Sequence, residues 1–250
     1  MSKLCVYLEL VPKKIFISLN IDKNFFCNII DDYLKKFFFD KSFDGQILYS
    51  CFFYKETEVC GACVDNEKIF IQGGVFCFSL GNQKFCFYCI ENSFVFNSIL
   101  RILTSIILCL NNGFLLHSAG IIKNGGCVLY SGKSGSGKST LAKKVNNTEV
   151  LSDELCPVIL INKNLYSWPS MFYSEVEPKF TKYGYKLIKI KEIKFLSEVD
   201  KGKEVFVKKK ENFVDLLLTN IFWLSKNKFL VQTQMNVVEK VAKLFFKNEI

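Results

Sequence analysis

Residues 132 to 139 read Gly-Lys-Ser-Gly-Ser-Gly-Lys-Ser, which fits the pattern GxxxxGK[ST] at every fixed position. A chain of phosphates needs a concave run of backbone N–H groups, and the glycines of this segment let the backbone take that curvature. The ammonium group of Lys138 can reach β- and γ-phosphates, and the hydroxyl of Ser139 can bind Mg²⁺. The segment therefore predicts a site for the phosphates of a nucleotide.

The neighbouring residues favour this interpretation over a Gly/Ser-rich turn without a ligand. Residues 126–131 predict a short apolar strand, and the residues from Ser139 onward predict a helix. A phosphate-binding loop joins a strand to a helix in this way. The residues expected to contact the nucleotide are Gly132, Lys133, Ser134, Gly135, Ser136, Gly137, Lys138, Ser139 and Thr140.

Two adjacent acids, Asp153 and Glu154, come at the end of the strand predicted over 150–154. Neighbouring residues on an extended chain point to opposite sides, so one carboxylate can face a metal ion and the other an acceptor hydroxyl. Phosphoryl transfer needs this division of roles. We expect Asp153 to bind Mg²⁺ together with Ser139 and Glu154 to be the base, although a small twist of the strand would exchange the roles. The alternative for Glu154 is a solvated surface charge.

The elements that carry these residues are predicted as follows. Residues 1–92 form a β-rich region with a helix at 24–39. Its predicted strands are 46–54, 68–71, 75–78 and 84–90. Further on, helices are predicted at 94–111, 213–224 and 237–246. The remaining predicted strands are 114–122, 126–131, 150–154, 158–161, 165–168, 186–196 and 204–207.

Asn124-Gly125 is a strong signal for a type I′ hairpin between the strands at 114–122 and 126–131. The strand that enters the phosphate loop is therefore the return arm of an antiparallel hairpin. In common phosphate-loop proteins that strand lies in a parallel, doubly wound sheet. The expected fold class is α/β, with a mixed, partly antiparallel sheet and flanking helices.

In their order and spacing, these segments resemble the kinase domain of the HPr serine kinase/phosphorylase superfamily, which is related in fold to ATP-dependent phosphoenolpyruvate carboxykinase. The resemblance rests on Leu116-His-Ser-Ala-Gly120, the Asn-Gly hairpin, the loop at 132–140 and Leu151-Ser-Asp-Glu154. It covers residues 94–161 and weakens beyond them. It implies an HPr-kinase-like core, a β-rich N-terminal region over 1–92 and a nucleotide-binding kinase domain over 93–250.

The resemblance also implies an activity and a role for the only histidine of the chain, His117. The implied protein is an ATP- and Mg²⁺-dependent kinase that phosphorylates a hydroxyl, such as serine, of a protein, peptide or small molecule. The family has a histidine near the reacting phosphate, so His117 joins Asp153 and Glu154 as a catalytic candidate. A buried core histidine is the alternative. The superfamily generally has two aspartates where this chain has Asp153 and Glu154.

The chain departs from the bifunctional HPr enzyme in ways that leave its substrate open. That enzyme has adjacent glycine and arginine after the acidic pair, whereas the only arginine here, Arg101, lies upstream. The resemblance therefore leaves open both HPr as the substrate and the phosphorylase reaction. A nucleotide-binding switch or assembly module of the same fold, without transfer activity, is the alternative to a kinase.

Composition narrows the expected partners and compartment. The net charge of +9 comes almost wholly from lysine, and because arginine is the usual reader of bases we expect no nucleic-acid partner. Residues 102–122 are uncharged, but Asn111-Asn112-Gly113 interrupts them, which favours a buried helix over a membrane span. The start of the chain lacks a secretory signal pattern. We therefore expect a cytoplasmic protein with no membrane partner; a homo-oligomer is compatible with the sequence.

The cysteines are expected to be reduced thiols. There are 11 of them, and the pairs Cys60/Cys63 and Cys86/Cys89 have the spacing of a zinc ribbon. The second pair, however, falls on a predicted strand, where residues three apart point to opposite faces. Small buried hydrophobic residues are therefore the favoured interpretation, with zinc as the alternative.

Overall fold

The computed structural model describes two compact units, Met1–Ile102 and Leu103–Ile250. Each contains a seven-stranded sheet of mixed, mostly antiparallel pairing, which confirms the α/β class. The predicted limit between residues 92 and 93 stays a prediction, since the division between the units falls inside the helix that follows it. The described residues are 3–10, 15–22, 38–39, 47–55, 67–71, 74–79, 84–90, 92–178, 187–197, 199–205, 207, 209–222 and 227–246.

The first unit is built on one sheet of order β3-β1-β2-β4-β7-β6-β5. Strands β2, β4 and β7 are parallel neighbours, and the other pairs are antiparallel. The strands are β1 (Lys3–Leu10), β2 (Ile15–Asp22), β3 (Phe38–Phe39), β4 (Ile47–Lys55), β5 (Glu67–Ile71), β6 (Gly74–Ser79) and β7 (Lys84–Cys89). The strands predicted from residue 46 to residue 90 are thereby confirmed.

Two predictions for this unit need comment. The helix predicted at 24–39 lies outside the described residues except for Phe38–Phe39, and there it is wrong because those residues pair with Tyr7 and Leu8 of β1. Cys60 and Cys63 also lie outside the described residues, whereas Cys86 and Cys89 are in β7 as expected. No cluster of three or more metal-binding side chains occurs in the described part of the chain.

Helix α1 (Ser93–Leu110) confirms the helix predicted at 94–111. It is the one described helix that is long and apolar enough to cross a membrane, but 67% of it is buried inside the protein, and core helices pass the same test. Within this helix Arg101 donates a hydrogen bond to Asn97 (2.6 Å), and Ser105 donates one to the Phe222 carbonyl (3.2 Å).

The second unit carries seven further strands. They are β8 (Gly113–Lys123), β9 (Gly126–Ser131), β10 (Val150–Ser152), β11 (Leu155–Ile161), β12 (Asn164–Ser167), β13 (Ile188–Leu196) and β14 (Glu204–Val205). The pairings form a closed ring. It runs from β8 to β11, β12, β13 and β9, and β9 pairs with β8 again. Only β9 and β13 pair in parallel within this unit's described sheet.

The type I′ hairpin is confirmed, since Asn124 and Gly125 have φ of 51° and 75° and join the antiparallel strands β8 and β9. The helix predicted after the loop is confirmed as α2 (Lys138–Lys143), which has only six residues. It packs over the sheet face that bears Ala119, Ile121 and Val128. The phosphate-loop segment therefore lies between an antiparallel hairpin and a single short helix.

The other face of the sheet is covered by α3 (Lys210–Asn220) and α4 (Lys228–Phe245). Helix α3 ends earlier than predicted because Ile221 leaves it to pair with Leu116 of β8. Helix α4 begins earlier than predicted, since the Asn227 side chain accepts a hydrogen bond from the N–H of Leu230 (2.8 Å) and caps it. Gln232, Thr233 and Gln234 separate its apolar first turn from the predicted helix and interrupt the apolar spacing.

Gly120→Ala should destabilise the second unit. A methyl group at Gly120 would lie 2.8 Å from the Cys156 sulfur and 3.0 Å from Cβ of Leu151, in a core where neither neighbour is exposed. Overpacking of this kind costs about 1–3 kcal/mol. Urea unfolding measures the loss, and an unchanged free energy of unfolding would show that the core around β8 has spare room.

Candidate functional site

Strand β8 aligns the segments of the candidate site because both of its edges are paired. On one edge Ser118 pairs with Ser131, the last residue of β9, whose hydroxyl donates to the His117 carbonyl (3.0 Å). On the other edge His117 pairs with Leu155, and the N–H of Ser118 donates to the Glu154 carbonyl (3.0 Å). The start of the phosphate loop and the acidic pair are therefore held on opposite edges of the same short stretch of β8.

The loop takes the curvature that its glycines predict. Gly135 and Gly137 have φ of 81° and 97°, which L side chains rarely adopt. Gly132 is needed for a different reason, since a Cβ there would lie 2.7 Å from the Ser136 hydroxyl. The loop is closed by a hydrogen bond from the N–H of Ser136 to the Lys133 carbonyl (3.2 Å).

Lys138 is folded back onto the loop that carries it. Its ammonium group donates to the carbonyls of Gly132 (2.6 Å) and Lys133 (2.8 Å), and the residue is only 5% exposed. Burial lowers the pKa of Lys138 to about 8, against the charges of Glu154 and Asp153, which raise it. At neutral pH the loop therefore holds a partly desolvated positive charge.

Asp153 is buried and held by a segment that follows it in sequence by about 20 residues. Its carboxylate accepts hydrogen bonds from the Ser174 N–H (2.8 Å), the Ser174 hydroxyl (2.9 Å) and the Glu175 N–H (3.0 Å). Burial alone would raise the pKa of Asp153, but these bonds and one from the Ser139 hydroxyl lower it below its ordinary value. Glu175 in turn forms an ion pair with Lys143 of α2.

The hydroxyl of Ser139 thus contacts the carboxylate of Asp153, which is the arrangement predicted for a Mg²⁺ site. Mg²⁺ prefers oxygen ligands and is commonly bound by one or two carboxylates together with substrate phosphates. The donor set of Ser139 and Asp153, with Glu154 next to them, fits that ion. It does not fit zinc, which takes nitrogen and sulfur ligands in closed sites.

A cavity of about 640 Å³ opens over the loop and contains most of the predicted site residues. Gly132, Lys133 and Ser136 do not line it: Gly132 and Ser136 are buried, and Lys133 is exposed outside the cavity. Glu154 is half-buried, whereas Asp153 is 1% exposed. The predicted residues that line the cavity are His117, Ser134, Gly135, Gly137, Lys138, Ser139, Thr140, Asp153 and Glu154.

The cavity also contains residues that the sequence did not single out: Leu141, Lys144, Ser174, Glu175, Lys201, Gly202 and Lys203. Lys144 follows Thr140 by one helical turn, so the helix predicted after the loop could have identified it. Ser174 and Glu175 give no local signal because their role depends on contact with Asp153. The Asp200-Lys-Gly-Lys203 segment predicts a turn, but its position beside the loop depends on tertiary contacts that have no local signal in the sequence.

No family model and no curated protein matches the chain. The resemblance to HPr kinases therefore stays a prediction that rests on the order and spacing of the quoted segments. The structure brings the loop, the acidic pair and His117 together in one cavity.

Replacing Lys138 by methionine should change how stability depends on pH. Because burial lowers the pKa of Lys138 to about 8, its charged form destabilises the folded state below that pH, and the penalty disappears as pH rises toward 10.5. Between about pH 7 and pH 9.5, the free energy of unfolding of the wild type should therefore rise by about 1–2 kcal/mol relative to that of Lys138→Met. Denaturant unfolding at both pH values measures this difference.

The exposed Lys189 on β13 provides the matched control. The difference in free energy of unfolding between Lys189→Met and wild type should be the same at both pH values. A difference for Lys138→Met that is equally independent of pH would show that Lys138 titrates like an exposed lysine.

Proposed function

We propose that the protein is an ATP-dependent kinase of the HPr-kinase-like type, which transfers the γ-phosphoryl group to a hydroxyl of a protein, peptide or small molecule. The observation that carries the proposal is that Lys138 and Ser139 of the loop share one cavity with Asp153, Glu154 and His117. A loop that served only as a turn would not need a buried lysine, a clamped aspartate and a second carboxylate around it.

The loop supplies the groups that would hold the nucleotide. Its backbone can present N–H groups to the phosphates, because Gly135 and Gly137 turn the chain in the left-handed region. Lys138 is already within the loop and can exchange its contacts with two backbone carbonyls for phosphate oxygens. Thr140 lines the same cavity one residue beyond Ser139.

Ser139 and Asp153 would hold Mg²⁺, either directly or through water. When bound, the ion supplies positive charge that neutralises the oxygens of the transferred group. The hydrogen bonds from Ser174 and Glu175 keep Asp153 ionised and fix the direction of its carboxylate. A buried carboxylate that is held in this way needs little reorganisation during the reaction.

In this proposal Glu154 acts as the base, which is supported by its lower burial than that of Asp153 and by its position in the lining of the cavity. In the transfer step the acceptor oxygen forms a bond to the γ-phosphorus, and the bond from that phosphorus to the bridging oxygen breaks. ADP leaves with the electron pair of that bond, and the proton of the acceptor hydroxyl passes to the Glu154 carboxylate. His117, on β8, can contribute a hydrogen bond to the transferred group.

Lys138→Ala should weaken binding of Mg²⁺-ATP roughly tenfold to a hundredfold, because it removes a charged hydrogen-bond donor from the loop. Isothermal titration calorimetry measures the affinity, with Lys189→Ala as the control that keeps it. Equal affinities for wild type and Lys138→Ala would refute the nucleotide site and, with it, the kinase.

Glu154→Gln should retain nucleotide binding, and its rate of phosphoryl transfer should fall by a factor of about 10²–10⁴, the usual contribution of a positioned general base. Asp153→Asn should instead lose the Mg²⁺-dependent part of the affinity as well as turnover. Transfer of label from γ-labelled ATP to candidate hydroxyl acceptors gives the rates. The opposite pattern would exchange the two roles, and binding without any transfer in wild type would favour a nucleotide-binding switch.

A further inference from the structure

A turn between β13 and β14 lies directly against the phosphate loop. The N–H of Gly202 donates a hydrogen bond to the Ser136 carbonyl (3.0 Å). A Cβ on Gly137 would come within 3.2 Å of the Gly202 nitrogen, so the loop glycine also makes room for this turn. The contact joins residues more than 60 positions apart in sequence.

The turn is held in shape by its own hydrogen bonds. The N–H of Ser197 donates to the Lys203 carbonyl (2.9 Å), and the N–H of Lys203 donates to the Asp200 carbonyl (2.9 Å). The N–H of Asp200 donates to the Ser197 hydroxyl (3.1 Å). Gly202 has φ of 82°, which closes the turn toward the loop. These hydrogen bonds therefore fix the backbone at Lys201 and Lys203, on either side of Gly202.

This turn approaches the loop from the side opposite the acidic pair. Strand β9, which leads into the loop, pairs with β8 on one edge and with β13 on the other. Asp153 and Glu154 follow β10 on the far side of β8, whereas the turn follows β13. Acids and lysines thus flank the loop on opposite sides, and a cation from the turn would not compete with the metal site.

Two lysines of the turn, Lys201 and Lys203, line the cavity over the loop. Lys203 forms an ion pair with Asp200 (3.4 Å), whereas Lys201 has no ion-pair partner among the described residues. The one arginine of the chain, Arg101, is in helix α1 and donates to Asn97 of the same helix. Any positive charge that the second unit adds to Lys138 must therefore come from lysine.

We propose that Lys201 is part of the phosphate-binding site and contacts the phosphate chain from the side opposite Asp153. The inference rests on the proposed function in that the ligand is a nucleotide. A metal-bound triphosphate keeps net negative charge, and a charged donor on a fixed backbone stabilises such a ligand more than a neutral one does. Lys203 contributes less, because Asp200 already neutralises part of its charge.

Calorimetric titration with Mg²⁺-ATP tests this assignment. Lys201→Ala should raise the Kd about tenfold and make the affinity less sensitive to salt, because one charged contact with phosphate is lost. Lys201→Arg should restore most of the affinity. Lys203→Ala should have a smaller effect than Lys201→Ala, and Lys189→Ala, on β13 and outside the cavity, should have none. The exposed position of Lys201 makes a folding defect in these variants unexpected.

Inorganic tripolyphosphate with Mg²⁺ serves as the second ligand and identifies what Lys201 touches. An equal loss of affinity for tripolyphosphate and ATP in Lys201→Ala supports contact with the phosphate chain. A loss confined to ATP would assign Lys201 to the nucleoside and overturn the proposal. Unchanged affinity for both ligands overturns it too, provided that Lys138→Ala still binds weakly; if Lys138→Ala also binds normally, the nucleotide site itself has failed.

Discussion

Strand β8 is the element on which the candidate site depends, because it pairs along both edges at the same residues. Ser118 pairs across one edge with Ser131, the residue before the loop, and on the other edge its N–H donates a hydrogen bond to the Glu154 carbonyl. A slip of one residue in either pairing would turn His117 to the opposite face of the sheet. The distance between loop and carboxylates is therefore fixed by backbone hydrogen bonds, and no side-chain contact is needed to set it.

The charges of the site are stabilised in two different ways, and both leave it ionised near neutral pH. The carboxylate of Asp153 keeps its charge despite burial because it accepts hydrogen bonds from Ser174, Glu175 and Ser139. Among the described residues no carboxylate forms an ion pair with Lys138; its ammonium group donates to backbone carbonyls, and burial lowers its pKa to about 8. In the proposed site a phosphate group would replace those neutral acceptors with charged ones.

Much of the second unit could be predicted from sequence because its signals are local. The Asn124-Gly125 turn, the glycines of the loop and the short helix after it each follow from backbone preferences of a few residues. The closed path of strand pairings could not be predicted, since it depends on the parallel partner of β9, which lies some 60 residues further along the chain. The early start of α4 does not follow from the apolar spacing, because Gln232, Thr233 and Gln234 interrupt it after the first turn.

The clamp on Asp153 and the turn at Gly202 show why the chemistry of such a site is only half visible in sequence. The motif residues lie on β8, on the loop and between β10 and β11, and their spacing is set by short connections. The residues that hold Asp153 and flank the loop come from segments whose own sequence predicts only turns. Since a carboxylate or lysine acquires its pKa and direction from those contacts, the motif identifies the reactive groups and the distant turns determine their state.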